Sequence, residues 1–375
     1  MSQHSLSACS DHRDAATAAA DLAGQFGEAD ARAIVFFCSH KHDGVALSSA
    51  LRVRYPQAEV IGCTTAGEFV GARTGEGNVT ALAFTGDKVK RAHGALAGFG
   101  QGTDAGIRSA TDRIGKAFGT PLRKLDPKRH VGIVLLEGLH MREEQANVAL
   151  GNAAPELSFV GGSAGDNLEF KETRVFYNGE SSTDGAALLV LEMSVPFVIA
   201  KTCSFTPTAH KFTITRADEA NRTVYELNGE PVLEAYARAV GCSPKDLGGA
   251  VFMKHPVGLM LDGDPWIRSP QQALPDGGLK FYCKIAEGME VHVMKSTDLV
   301  GETHAAMKRA AAALGRQAGG ALLFNCILRR LELDASKAHQ RFLEAFRGLP
   351  VAGFHTYGES WLGHVNQTCT GLVFA

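Results

Sequence analysis

Val60–Glu68 reads VIGCTTAGE, and Val351–Glu359 reads VAGFHTYGE. The two share V-x-G-x-x-T-x-G-E at identical offsets, although almost three hundred residues separate them. Each is preceded by an apolar run, AIVFFC from Ala33 and ALLFNC from Ala321, which match as A-x-x-F-x-C. The separations from run to motif differ by about three residues, which one loop absorbs. Each motif then leads into an Asn-x-Thr strand, NVTALAF from Asn78 and NQTCTGLVF from Asn366.

A looser copy lies between them: GIVLLEG from Gly132, SFVGGSAGD from Ser158 and GAALLVLE from Gly185. The expected repeat is strand, helix, strand, turn, strand. The helices are HDGVALSSALRVRYP, MREEQANVALGNAAP and ASKAHQRFLEAFRG, each closed by Pro or Gly. The strands are apolar and rich in β-branched residues, as in sheets covered on both faces. The fold class is therefore α/β, with mixed sheets, covering helices and internally repeated strand-helix-strand-strand units in two halves. Three segments are expected: an N-terminal helical, partly flexible stretch (1–30), an N-terminal region (31–210) and a C-terminal region (211–375). The second half opens on the helix PVLEAYARAVG, with Pro231 at its first turn.

Composition narrows the function. The chain has 375 residues, 45% of them apolar, enough for real cores and too many for a disordered chain. Lys+Arg at 38 against Asp+Glu at 40 leaves no basic footprint for nucleic acid. No apolar run reaches the roughly 18 residues that span a bilayer. The polar N-terminus lacks the apolar stretch of a signal peptide. Eight scattered cysteines form no CxxC and no CxxCH, which speaks against a zinc ribbon and a covalently attached haem. A cytoplasmic, reduced protein without membrane or nucleic-acid contacts is expected.

Gly161–Gly165 satisfies G-x-S-x-G around Ser163, the pattern of a nucleophile elbow. An elbow runs directly into a helix, whereas DNLEFKETRVFYNG reads as a loop and a strand. The corresponding turns CTTAGE and HTYGE share a Gly followed by an acid, not a nucleophile. Ser163 therefore reads as a decoy, and no catalytic residue is assigned. The Gly–acid pairs are Gly67-Glu68, Gly165-Asp166 and Gly358-Glu359. Their acids either converge on a cation or a ligand's amine, or each caps N–H groups of its own turn; recurrence at a turn favours capping. Among 14 histidines, His40, His42 and His304 have polar neighbours and are weak candidates for a haem ligand, while His255 and His364, in apolar surroundings, are better ones.

VIGCTTAGEF, VGGSAGDN, VYELNGEPVLEAYARAVG and TYGES…HVNQT resemble FIST proteins, with FIST N and FIST C regions in tandem from about Ala31 to the end. GLHMREE, FNCILRRLEL and HVNQTCTG are closest to the NosP-type haemoproteins. That resemblance implies a non-covalent haem b held by one histidine, nitric oxide as ligand, and a partner histidine kinase, diguanylate cyclase or phosphodiesterase regulated in trans. It implies that nitric oxide weakens the iron–histidine bond and lets a packed element relax. His255 and then His364 are the implied axial ligands and metal-binding residues, with His140 and His355 behind them. The sequence departs from the pattern at His140, where a small residue is usual, and at SWLGH beside His364. A homodimer is compatible with the resemblance. The alternative it implies is a non-haem FIST module that binds a small metabolite, such as an amino acid, near the Gly–acid turns.

Overall fold

Ala31–Ser39 is buried along nearly its whole length. Ala33, Val35 and Phe37 face one apolar cluster, while Ile34, Phe36 and Cys38 face another beneath helices. This two-sided burial is that of a central strand in a sheet covered on both faces. It runs parallel to Glu59–Thr65 and antiparallel to Val79–Thr85. His130–Leu136 repeats the arrangement, parallel to Phe159–Ser163 and antiparallel to Gly185–Met193. Gly320–Cys326 repeats it again, parallel to Val351–Thr356 and antiparallel to Thr368–Phe374. The computed structural model describes residues 6–375, so the first five residues of the 1–30 stretch lie outside the described residues. The rest of that stretch forms a strand, Ser7–Ser10, and a helix, Ala15–Phe26.

The chain divides into two compact units. The larger contains residues up to Lys201, Thr303–His364 and Cys369–Ala375. The smaller contains Thr202–Glu302 and Val365–Thr368. Residues 303–364 thus fold with the N-terminal portion of the chain. In the larger unit the inward faces of the three sheets meet in one core. Phe37 packs against Phe324 and Phe354 there, with ring centroids 6.1 and 4.6 Å apart. The smaller unit is built on antiparallel pairings around the 14-residue strand Phe205–Asp218, which pairs with Thr223–Leu227 and Glu290–Ser296. Helix Val232–Val240 covers that unit's core through Val232, Ala235 and Tyr236.

Three local readings are corrected. The A-x-x-F-x-C match is out of register by one: Val60 pairs with Ile34 but Val351 pairs with Ala321. Because side chains alternate faces, Phe36 lies under the helices while Phe324 lies in the central core, and the counterpart of Phe324 is Phe37. The helix expected to open at Ala335 begins at Ile327 and stops at Ser336, where Lys337 turns left-handed (φ 54°); a short helix, His339–Leu343, follows. Pro231 is the N-cap rather than the first helical residue, with an extended ψ of 130°. Helices Gly44–Arg54 and Glu143–Ala153 lie where expected, the first capped by the Asp43 carboxylate on the Ala46 N–H. Helix Thr103–Phe118, set between Gly102 and Gly119, escaped the repeat-based reading because no copy of the motif contains it.

Candidate functional site

The three turns that follow the second strand of each copy are hydrogen-bonded to one another in a cycle. Ala66 N–H donates to the His355 carbonyl and His355 N–H to that of Gly67. Tyr357 N–H donates to the Ser163 carbonyl and Ser163 N–H to that of Gly358, at 3.1 and 2.8 Å. Gly165 N–H closes the ring on the Thr64 carbonyl at 3.0 Å. Each turn also sends its next strand to a neighbour: Glu68–Val70 pairs with Val351–Thr356, Glu359–Trp361 with Phe159–Ser163, and Val175–Tyr177 with Glu59–Thr65.

Two turns are alike. Glu68 and Glu359 are fully buried, and each accepts the hydroxyl of the Thr three residues before it, Thr65 and Thr356. Glu68 also accepts the Asn78 N–H. Burial raises its carboxyl from 4.5 to about 7 despite those bonds and the Arg330 charge. Gly67 adopts φ 104°, and a Cβ there would lie 3.0 Å from Arg330 Nη1, so the guanidinium rests on the bare glycine. At Gly358 the neighbour is His364, whose Cε1 lies 2.0 Å from where a Cβ would stand.

The middle turn differs. Glu68 sits opposite Phe354 and Glu359 opposite Gly162, but the residue in the matching place, opposite Cys63, is Val175 and not Asp166. Residues 166–174 are therefore an insertion into the repeat. Asp166 closes this loop on itself by accepting the N–H groups of Phe170, Lys171 and Glu172 at 3.0, 2.6 and 3.1 Å. It also accepts the Tyr357 hydroxyl at 2.5 Å. Burial opposes its ionisation, yet the Tyr357 hydroxyl and the three N–H donors win and hold its carboxyl below the usual range. Asn167, Leu168 and Phe170 adopt left-handed φ of 56°, 67° and 51°, which costs on the order of 1–3 kcal/mol for bulky side chains. Phe170 stacks on Tyr357 with centroids 5.2 Å apart.

The acids thus serve their own turns, and among the described residues no group of three or more His, Cys, Asp or Glu side chains is placed to hold a metal ion. Ser163 ends its strand fully buried, its Oγ has no hydrogen-bond partner, and a loop rather than a helix follows it.

The candidate histidines occupy unlike surroundings. His255 is half-buried at the C-terminal end of helix Gly249–Lys254 in the smaller unit. Its Nδ1 faces the Met294 carbonyl at 3.3 Å, so Nδ1 carries the proton and Nε2 is the basic nitrogen. An imidazole oriented by a backbone carbonyl in this way fits the requirement of a haem ligand. His364 is buried, and its Cε1, Nε2 and Nδ1 all face Gly358. His140 has a side chain 54% exposed and bonds Glu137 through Nδ1 at 2.7 Å. His355 is fully buried, accepts the Asn325 amide on Nδ1 at 3.0 Å, and lies 5.4 Å from the Phe69 ring. Burial, then the Arg330 charge, push its basicity well below the usual range, so it is neutral. The turn brings His355 together with the Gly67 and Gly358 segments; His255 belongs to the smaller unit.

Thr65 and Thr356 were legible as the invariant Thr of T-x-G-E. Tyr357 and Arg330 carried no sequence signal, because one occupies a variable position and the other reaches the Ala66 carbonyl from a distant helix. In the smaller unit Gln367 of the HVNQT segment is buried, accepting from Ser269 Oγ and donating to the Met253 carbonyl.

Repeated mixed sheets make up one unit and antiparallel pairings the other, and the two domains that family models recognise in this chain are domains of a sensory, signal-transduction class. The FIST N domain matches residues 32–230 and the FIST C domain residues 233–361, and the chain belongs to the FIST family. It is similar to an uncharacterized protein of Mycobacterium bovis and to one of Mycobacterium tuberculosis, each 28% identical over 221 residues. The alignments cover 55% of this chain and 56% of each relative, so the chain spans a little over half the length of the curated relatives it matches. Among the described residues no helix is long and apolar enough to cross a membrane.

Proposed function

We propose that this FIST protein is a cytoplasmic sensor that holds haem b through His255, responds to nitric oxide, and regulates a histidine kinase or a cyclic-di-GMP enzyme in trans. The observation that carries the reading is the setting of His255. Its Nδ1–H is committed to the Met294 carbonyl, its Nε2 is basic, and Val257, Phe252 and Tyr236 are buried around the same segment. A haem held there by His255 would supply an iron atom able to bind a small gaseous ligand.

The chain supplies the route by which a change at the imidazole spreads. The His255 backbone carbonyl accepts the hydroxyl of Tyr236, a fully buried residue of helix Val232–Val240. Tyr236 packs against Phe252 at 6.1 Å, on the helix that ends at His255. Moving His255 therefore perturbs two helices at once. A differential affinity worth a few kcal/mol is enough to shift such an element between two arrangements.

The test is a UV–visible spectrum of protein reconstituted with haemin, reduced and exposed to nitric oxide. A sharp Soret band that shifts with nitric oxide is expected, with haem retention lost in His255→Ala and kept in His364→Ala. A broad spectrum like that of free haemin, or full retention in His255→Ala, overturns the assignment.

A further inference from the structure

The inserted loop 166–174 has no counterpart in the other two copies, and it walls a cleft of about 280 Å³ in the larger unit. The opposite wall is the end of the first long strand, with His40 and His42, and the start of helix Gly44–Arg54. Strained backbone, bulky left-handed residues and an insertion confined to one copy are features that folds keep at binding sites.

The cleft's hydrogen-bonding inventory is lopsided. Each cation on its wall is paired with a loop carboxylate: Lys171 Nζ with Glu169 at 3.0 Å, Arg174 Nε with Glu172 at 2.8 Å. At the helix N-terminus Ala46 N–H is taken by the Asp43 side chain and Gly44 N–H by the His42 carbonyl. Two ring nitrogens have no partner. His40 Nε2 lies 3.1 Å from Glu169 Oε1, and His42 Nε2 lies 2.9 Å from the Gly77 carbonyl. Both partners only accept, so each Nε2 carries a proton, and in the neutral ring each Nδ1 is a bare lone pair. Both Nδ1 atoms are buried without a hydrogen-bond partner, and His42 as a whole is 8% exposed. Four carboxylates line the cleft (Asp43, Asp166, Glu169, Glu172) against two cations (Lys171, Arg174).

A site with unpartnered buried acceptors and four carboxylates against two already paired cations selects a ligand that brings N–H groups and positive charge. We propose that this cleft binds a small organic cation, a protonated primary amine or short diamine. The inference goes beyond the haem reading and does not depend on it, because every residue used lies in the larger unit.

The experiment is isothermal titration of the full chain, purified without added haemin, with 1,4-diaminobutane at constant ionic strength. 1,4-Butanediol and succinate serve as neutral and anionic matches. One saturable diamine site per chain is expected, with no heat from the diol or the diacid. Glu169→Gln, on an exposed part of the loop, removes a cleft charge and the carboxylate that orients His40, and should weaken the diamine about tenfold. His42→Phe should abolish the isotherm; if that variant does not fold, Glu169→Gln decides. Equal binding of diol and diamine, binding of succinate instead, or an unchanged isotherm in Glu169→Gln overturns the proposal.

Discussion

The turns at 65–68 and 356–359 and the turn at 163–166 look interchangeable in sequence, yet only the first two are built alike. In both of those the acid follows directly into a strand and takes the hydroxyl of its own Thr. In the middle copy the strand is delayed until Val175, so Asp166 is drawn off to hold the inserted loop. Ser163 is left with a buried hydroxyl and no acceptor. The difference teaches that a repeated motif conserves the place where a chain turns, while an insertion one residue later reassigns every side chain in it.

The largest effect that separates the two kinds of turn should come from Asp166→Ala. Three backbone N–H groups and the Tyr357 hydroxyl lose their acceptor, and we expect a loss of about 3 kcal/mol in urea unfolding, with increased proteolysis between residues 166 and 174. A loss below about 0.5 kcal/mol would mean that the loop is held by something else and that the insertion is not organised by this acid.

Next comes the pH dependence set by Glu68. Its folded-state carboxyl, at about 7, titrates above the ordinary 4.5, so the folded state binds the proton more tightly than the unfolded state between those values. Stability contributed by this group is present at low pH and falls as pH rises from about 4.5 to about 7, by at most about 3 kcal/mol. Glu68→Gln keeps an acceptor for Thr65 and should flatten that fall in a series of urea titrations. A slope unchanged by the substitution places the titrating group elsewhere.

The smallest effect belongs to Ser163→Ala. Deleting a hydroxyl with no partner should change stability by less than about 1 kcal/mol, in the stabilising direction, and leave turnover of generic esters at background. Thr65→Val, by contrast, removes a donor from a buried carboxylate and should cost about 1–2 kcal/mol. If Ser163→Ala costs as much as Thr65→Val, the contrast between the turns is wrong.

Much of the fold was legible because its signals are local. Two-sided apolar runs marked the central strands, the Pro and Gly punctuation closed the helices, and the recurrent T-x-G-E located the turns. The one-residue slip between AIVFFC and ALLFNC was not legible, since Phe occurs at both Phe36 and Phe37 and only pairing decides which faces the core. Of the candidate site, Glu68, Asp166 and Glu359 were found as turn acids. Their different duties were hidden, because Val175 resembles neither Glu in character and lies nine residues past Asp166.

The sequence by itself determined that the chain turns at Gly67, Gly165 and Gly358, that an acid follows each, and that apolar strands enter and leave those turns. Such features depend on residues within a few positions of one another, where side-chain chemistry and backbone preference act directly. Only the tertiary structure decided that the three turns bond in a cycle, that Tyr357 and Arg330 reach across it, and that His40 and His42 face the inserted loop across one cleft. Those contacts join residues far apart in the chain, brought together when the three sheets bury their inward faces in a common core, and no local pattern records which neighbour a buried side chain will meet.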